Sequence, residues 1–313
     1  MSEIAQEEIE RFKFFKGFVG AFRLTHFLPV ITVTTIGFFI AILTIKGSSS
    51  FSQLFQNISS GAIPIASLIF FGLTIFFQEA FCGVQNDYID RETDHLYQKS
   101  KAITDGWVSE TFTFWFGITC FILFTTFSFV VGIWSLTGYW GVLFIQGANL
   151  VGIFYNLYAK HRPISILPYM LGFPLIPVYT WITFGGFEFK QLWMIPVLIF
   201  VSLPAHIANE LPDLNLDIQH ENRNFSVFLG KKISTILYWM GILLIEIIIT
   251  IVYFIYNLNI WVFLVTISVS MLLAIVTFIL LWKREWETDL LIFNLVTMCI
   301  GIEVLGFFIM LGV

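Results

Sequence analysis

Two short stretches place carboxylates and amides at matching intervals: NDYIDRETD at 86–94 and NELPDLNLD at 209–217. Asn86, Asp90 and Asp94 match Asn209, Asp213 and Asp217 at a constant offset of 123, and Asp87 matches Glu210. On a helix, residues at i, i+4 and i+8 lie along one stripe, each about 6 Å above the last. Each stripe offers an amide oxygen and two carboxylates, the hard oxygen ligands of Mg2+, which takes one or two protein carboxylates together with substrate phosphate oxygens. Two opposed stripes are expected to hold two or three Mg2+ ions, with Mn2+ able to substitute. So much negative charge calls for a polyvalent counterpart, and a diphosphate clamped by metal and flanked by Lys and Arg supplies it. A solvated acidic loop explains one such stretch; it explains two in register poorly.

The elements that must position these stretches are apolar. Of 313 residues, 58% are hydrophobic and 12% charged, far from the composition of a soluble globule. Runs of about 20 apolar residues, each long enough to cross a bilayer core, centre in 21–45, 61–85, 110–132, 136–157, 164–185, 190–209, 232–256, 259–282 and 289–312. The expectation is an all-α, polytopic membrane protein: nine transmembrane helices around a central cavity, with the two acidic motifs in long inner loops at 86–109 and 209–231. It is read as one domain over 1–313, with duplicated halves at about 20–157 and 164–312. The acidic start MSEIAQEEIE is the wrong n-region for a cleavable signal peptide. Cys82, Cys120 and Cys299 have no metal-ligand spacing, and they read as packing residues.

Orientation follows from the basic residues. With the N-terminus inside, fourteen Lys and Arg fall on the cytoplasmic side and only Lys46 and Lys190 outside, as the positive-inside rule requires. This puts the protein in the cell membrane, its C-terminus outside and its active site near the cytoplasmic face.

NDYIDRETD matches the NDxxDxxxD signature of the UbiA superfamily of intramembrane prenyltransferases, and Asp213 and Asp217 match its second DxxxD motif. The chain also resembles that superfamily in YNLYAKHRP (155–163) and ENRNFSVFLGKK (221–232). The resemblance implies that metal on the two motifs binds an isoprenyl diphosphate, whose allylic carbocation alkylates an acceptor inside the membrane. Asn86, Asp87, Asp90, Asp94, Asn209, Asp213 and Asp217 are then the metal-binding set, with the four aspartates Asp90, Asp94, Asp213 and Asp217 catalytic. Lys99, Lys101, Lys160, Arg162 and Arg223 are the cations for the diphosphate. Tyr155 and Tyr158 join them or are aromatic-belt residues. Where many members have Arg-Pro and Gly-Lys/Arg-Arg/Lys, this chain has Lys101-Ala102 and Glu221-Asn222-Arg223.

The partners implied are an isoprenyl diphosphate, a small acceptor and the bilayer, with no nucleic acid. NELPD followed by VFLG is similar to quinone-pathway members, which points to an aromatic acceptor of dihydroxynaphthoate or hydroxybenzoate type. A glycerol-phosphate ether lipid or another non-aromatic acceptor is the alternative. Arg23 and His26, one turn apart, are candidates to bind the acceptor; snorkelling at the inner border explains them too. His206, one turn before Asn209, either orients the motif or packs. Glu79 extends the polar face of Asn86, whereas Glu246 and Glu303 read as structural hydrogen-bonding groups. A cation transporter and a membrane terpene cyclase or diphosphate hydrolase are the other classes these acids fit.

Overall fold

The computed structural model describes residues 65–185 and 189–283 continuously, with positions 56 and 59 and parts of 15–35 and 295–309. Its described elements are all helical. They are α1 (Ile65–Leu96), α2 (Glu110–Trp134), α3 (Trp140–Phe154) with a π-helical turn at Tyr155–Ala159, α4 (Ile166–Phe184), α5 (Met194–Glu210), α6 (Leu214–Gln219), α7 (Phe225–Tyr256) and α8 (Ile260–Lys283). Short 3-10 turns at Phe189–Trp193 and Leu211–Asp213 flank α5. Among the described residues seven helical stretches are long and apolar enough to cross a membrane. They coincide with the second to eighth expected runs; the first (21–45) and ninth (289–312) fall largely outside the described residues. Between their ends helices satisfy their backbone groups internally, which hydrocarbon demands.

Pairwise packing follows one scheme. The motif-bearing α1 lies along α2, the motif-bearing α5 lies along α7, and α4 sits between α3 and α5. Phe71 of α1 stacks on Tyr179 of α4 with ring centroids 5.0 Å apart, and Val197, Val201, Ile245 and Ile249 close the α5–α7 seam. That seam is tight at Gly241, where an added Cβ would come within 2.6 Å of Pro204 Cδ and 3.2 Å of the Phe200 carbonyl oxygen. Gly241→Leu is therefore expected to cost roughly 1–3 kcal/mol by overpacking. Gly147→Leu, on an open face of α3 with nothing within 4 Å, should be silent. Thermal unfolding of the two purified variants checks the contrast.

The acidic stretches are not loops. α1 continues through the whole first stretch to Leu96, so Asn86, Asp90 and Asp94 do form a helical stripe. The second stripe is interrupted. α5 stops at Glu210 and Pro212 sits in the 3-10 turn before α6, because proline has no N–H to donate and clashes with the preceding turn. Asn209, Asp213 and Asp217 are thus spread over three elements, the end of α5, the 3-10 turn and α6.

Candidate active site

Asp87, Asp90 and Asp94 share the inward face of α1, at 2%, 6% and 3% exposure. Three carboxylates withdrawn from water need counter-charge, and three lysines provide it. Lys101 Nζ donates to Asp87 Oδ1 at 2.7 Å, and Lys160 Nζ donates to Asp90 Oδ2. Lys99 Nζ lies 3.7 Å from Asp94 Oδ1 and donates to Asp213 Oδ2 at 2.5 Å. Burial alone would push the Lys101 ammonium down, but the charge of Asp87, then Asp94, the hydrogen bond to Asp87 and the charge of Asp90 outweigh it and hold it above the usual lysine range.

Lys99 joins the two motifs. Its distances of 3.7 and 2.5 Å put the oxygens of Asp94 and Asp213 at most about 6 Å apart, a gap that metal–oxygen bonds of about 2 Å and a phosphate can bridge. Among the described residues no three His, Cys, Asp or Glu side chains converge to hold a metal unaided, because ammonium groups stand between the carboxylates. Asp94 Oδ2 and Asp213 Oδ1 are nevertheless buried without a hydrogen-bond partner. Such orphaned anionic oxygens suit a hard cation.

Both motif helices end in the same way. After α1, Gln98 takes a left-handed conformation (φ 54), with Lys99 N–H on the Asp94 carbonyl at 2.9 Å and Gln98 N–H on that of His95 at 3.1 Å. After α6, Glu221 does so (φ 57), with Asn222 N–H on Asp217 at 2.8 Å and Glu221 N–H on Ile218 at 3.3 Å. These are Schellman caps at the offset of 123. The residues before the two left-handed positions, Tyr97 and His220, stack on each other with centroids 5.1 Å apart. Tyr97 Oη donates to Asp217 Oδ1 at 3.0 Å. Burial, then the charge of Asp217 and this bond, raise the Tyr97 phenol above its ordinary range, so it stays a donor. Asn222 Nδ2 donates to Asp217 Oδ1 at 2.9 Å, and Asn224 Nδ2 to Oδ2 at 2.8 Å. Asp217 is held by neutral groups, where Asp87, Asp90, Asp94 and Asp213 meet lysine.

The π-helical turn positions Lys160. Lys160 N–H reaches back five residues to the Tyr155 carbonyl at 3.0 Å, and such a bulge often marks a functional position. It brings Asn156 to α1 as well, where Nδ2 donates to Cys82 O (3.2 Å) and Gln85 Oε1 (3.0 Å) and Oδ1 accepts from Asn86 Nδ2 (3.2 Å).

The other expected site residues have varied surroundings. Tyr155 is buried against Tyr169 and His206, with centroids 5.2 and 6.1 Å away. Tyr158, 48% exposed, carries Arg162 over its ring at 4.1 Å. Arg223 is exposed, and Asn209 is half-buried. Arg23, the candidate for the acceptor, donates to Asp105 Oδ2 (2.9 Å) and to Ser100 O (3.1 Å), anchoring the loop that carries Lys99 and Lys101. His26 lies outside the described residues. Tyr97, Asn156, Asn222 and Asn224 were not singled out by sequence; polar side chains flanking each motif were the available signal.

An all-helical, multi-pass membrane architecture with two acid motifs meeting at one end of the bundle is the class that fold and site define. Residues 55–299 match the UbiA prenyltransferase family, and the chain belongs to it. It is a membrane prenyltransferase. No curated protein matches its sequence. Among solved structures, one of digeranylgeranylglyceryl phosphate synthase in membranes is similar at 18% identity and TM-score 0.61, over 94% of this chain and 98% of that one. A UbiA homologue from Aeropyrum pernix K1 is similar at 11% identity and TM-score 0.65, over 88% and 96%. A UbiA homologue from Archaeoglobus fulgidus bound to DMAPP and Mg2+ is similar at 16% identity and TM-score 0.59, over 90% and 98%. These likenesses are of fold.

Proposed function

We propose that the protein moves an isoprenyl chain from an isoprenyl diphosphate to an aromatic quinone precursor reached from within the membrane, in an Mg2+-dependent reaction near the cytoplasmic face. The observation that carries the reading is the Lys99 bridge, which brings Asp94 of one motif and Asp213 of the other to a single cation. The orphaned oxygens of Asp94 and Asp213 fit a divalent ion, and the Archaeoglobus homologues hold Mg2+ with DMAPP or GPP. Asn86, Asp87, Asp90, Asp94, Asn209, Asp213 and Asp217 would hold two or three such ions.

When bound, the metal supplies positive charge against the departing diphosphate. The lysines do the rest of the electrostatic work. Lys99, Lys101 and Lys160 neutralise carboxylates in the substrate-free arrangement, and with metal held by those acids each Nζ would be free to donate to a phosphate oxygen. The allylic carbon–oxygen bond then breaks with its electron pair on the diphosphate, where charge develops among fixed cations. The acceptor carbon attacks the allylic cation and gives up its proton.

The acceptor rests on the likeness of NELPD and VFLG to quinone-pathway members. A second reading, a glycerol-phosphate ether lipid acceptor, is favoured by the likeness to the digeranylgeranylglyceryl phosphate synthase structure. Incubation with labelled geranylgeranyl diphosphate, Mg2+ and a panel of acceptors separates the two. Label should pass to an aromatic acid. Transfer only to the glycerol lipid establishes the second reading, and release of diphosphate with every acceptor ignored makes the protein a cyclase or hydrolase.

A further inference from the structure

We propose that Glu210, although it stands in the second motif where Asp87 stands in the first, binds no metal and instead positions Asp217, acting through the N-terminus of α7. The inference rests on the metal-dependent reading above.

The first N–H groups of any helix lack partners within it. α7 begins in the interior, with Asn224 at 4% and Ser226 at 0% exposure, so water cannot serve them. Three groups do. Phe225 N–H donates to Ser165 Oγ at 3.1 Å, Ser226 N–H to Glu210 Oε2 at 2.8 Å, and Val227 N–H to Asn224 Oδ1 at 2.9 Å.

The other Glu210 oxygen is engaged too. Oε1 accepts from Ser165 Oγ at 2.7 Å and lies 2.9 Å from His206 Nε2. Ser165 has one hydroxyl hydrogen, and it goes to Glu210. The 2.9 Å contact between Ser165 Oγ and His206 Nε2 then requires the hydrogen on Nε2. His206 Nδ1, which has no partner, is left as a bare lone pair, less costly to bury than an N–H. Both Glu210 oxygens are thus engaged at the α4–α5–α7 junction by a serine hydroxyl, an imidazole and a backbone N–H. Asp87, its counterpart, meets Lys101 in the site itself.

The knot reaches the site through one residue. Asn224 has its Oδ1 fixed by Val227 N–H, so the planar amide sends Nδ2 in one direction, onto Asp217 Oδ2. That oxygen takes no second bond in the structure and keeps a lone pair for a ligand. Moving the start of α7 moves Asn224, and with it the aim of Asp217.

The test uses full-length protein in detergent, with Mn2+ plus inorganic pyrophosphate as the probe and bound Mn2+ read by electron paramagnetic resonance. Glu210→Gln replaces an accepting oxygen by an NH2 group, which clashes with the donors around it. It should weaken Mn2+ binding about tenfold, as the loss of a ligand's orienting partner does. In an Asp217→Asn background the same change should add less than about twofold, because the residue it acts through is already altered. Ser165→Ala should weaken Mn2+ binding, and Ser165→Thr, which keeps the hydroxyl, should restore it. Unchanged binding in Glu210→Gln, or penalties that multiply in the double variant, overturns the proposal. If Glu210→Gln does not fold, Asn224→Ala cuts the last link and must itself weaken binding about tenfold; unchanged binding there overturns the proposal equally. Wild-type protein that takes up no Mn2+ with pyrophosphate overturns the metal reading first, and this inference with it.

Discussion

Asp90→Asn and Asp213→Asn should each lower prenyl transfer by roughly a hundredfold or more, and the protein should still purify as a folded helical species. Asn is the size of Asp, so the packing of α1 and of the turn after α5 is preserved. What is lost is one negative charge, opposite Lys160 at Asp90 or opposite Lys99 at Asp213. A metal ligand removed from the ionisation step is felt in the transition state, where charge on the diphosphate is greatest, so the loss falls on kcat and kcat/KM together. EDTA should stop the wild-type reaction, and added Mg2+ should restore it. Release of diphosphate, measured without acceptor, should fall in parallel, because ionisation precedes attack. Full activity in either variant means that these acids do not hold the metal.

Much of this arrangement is legible in the sequence, and the rest has identifiable physical reasons for being hidden. The apolar runs mark the seven described spans, and the run at 61–85 ends well short of Leu96, where its helix ends; the hint that it goes on is the four-residue repeat at 86–94. Acidic residues read as loop in a hydropathy pattern; here lysines at 99, 101 and 160 neutralise them and the helix goes on. The reverse holds at 209–217, where a four-residue repeat reads as helix and Pro212 breaks it. The equal Schellman caps at Gln98 and Glu221 are invisible because neither is glycine, the usual residue at a left-handed position. Which lysine meets which acid depends on how α3 and the loop after α1 are packed, and no spacing encodes that. Glu210 shows the limit of motif matching. Its place in the repeat pairs it with Asp87, but the N–H groups at the buried start of α7 beside it need acceptors, and its chemistry follows its neighbours.

Lys101→Gln and Lys160→Gln should each lower transfer about ten- to a hundredfold, the worth of one charge-assisted hydrogen bond of roughly 1.5–3 kcal/mol. The loss should be the same with every acceptor and should reach acceptor-independent hydrolysis, since the diphosphate is common to all. Each lysine leaves a carboxylate when the substrate arrives, so the substitutions should also strengthen binding of Mn2+ alone: the ion no longer competes with an ammonium at Asp87 or Asp90. Arg223 stands between Asn222 and Asn224, both of which hold Asp217, and Arg223→Gln should lower transfer and hydrolysis without that gain in Mn2+ binding. Arg23→Gln tests the loop. Its guanidinium fixes Asp105 and Ser100, and Ser100 lies between Lys99 and Lys101, so its loss should depress hydrolysis and transfer alike. An Arg23→Gln protein that reorders the acceptors and hydrolyses the diphosphate at the wild-type rate would show that Arg23 reads the acceptor, and that the lysine loop holds its place without it.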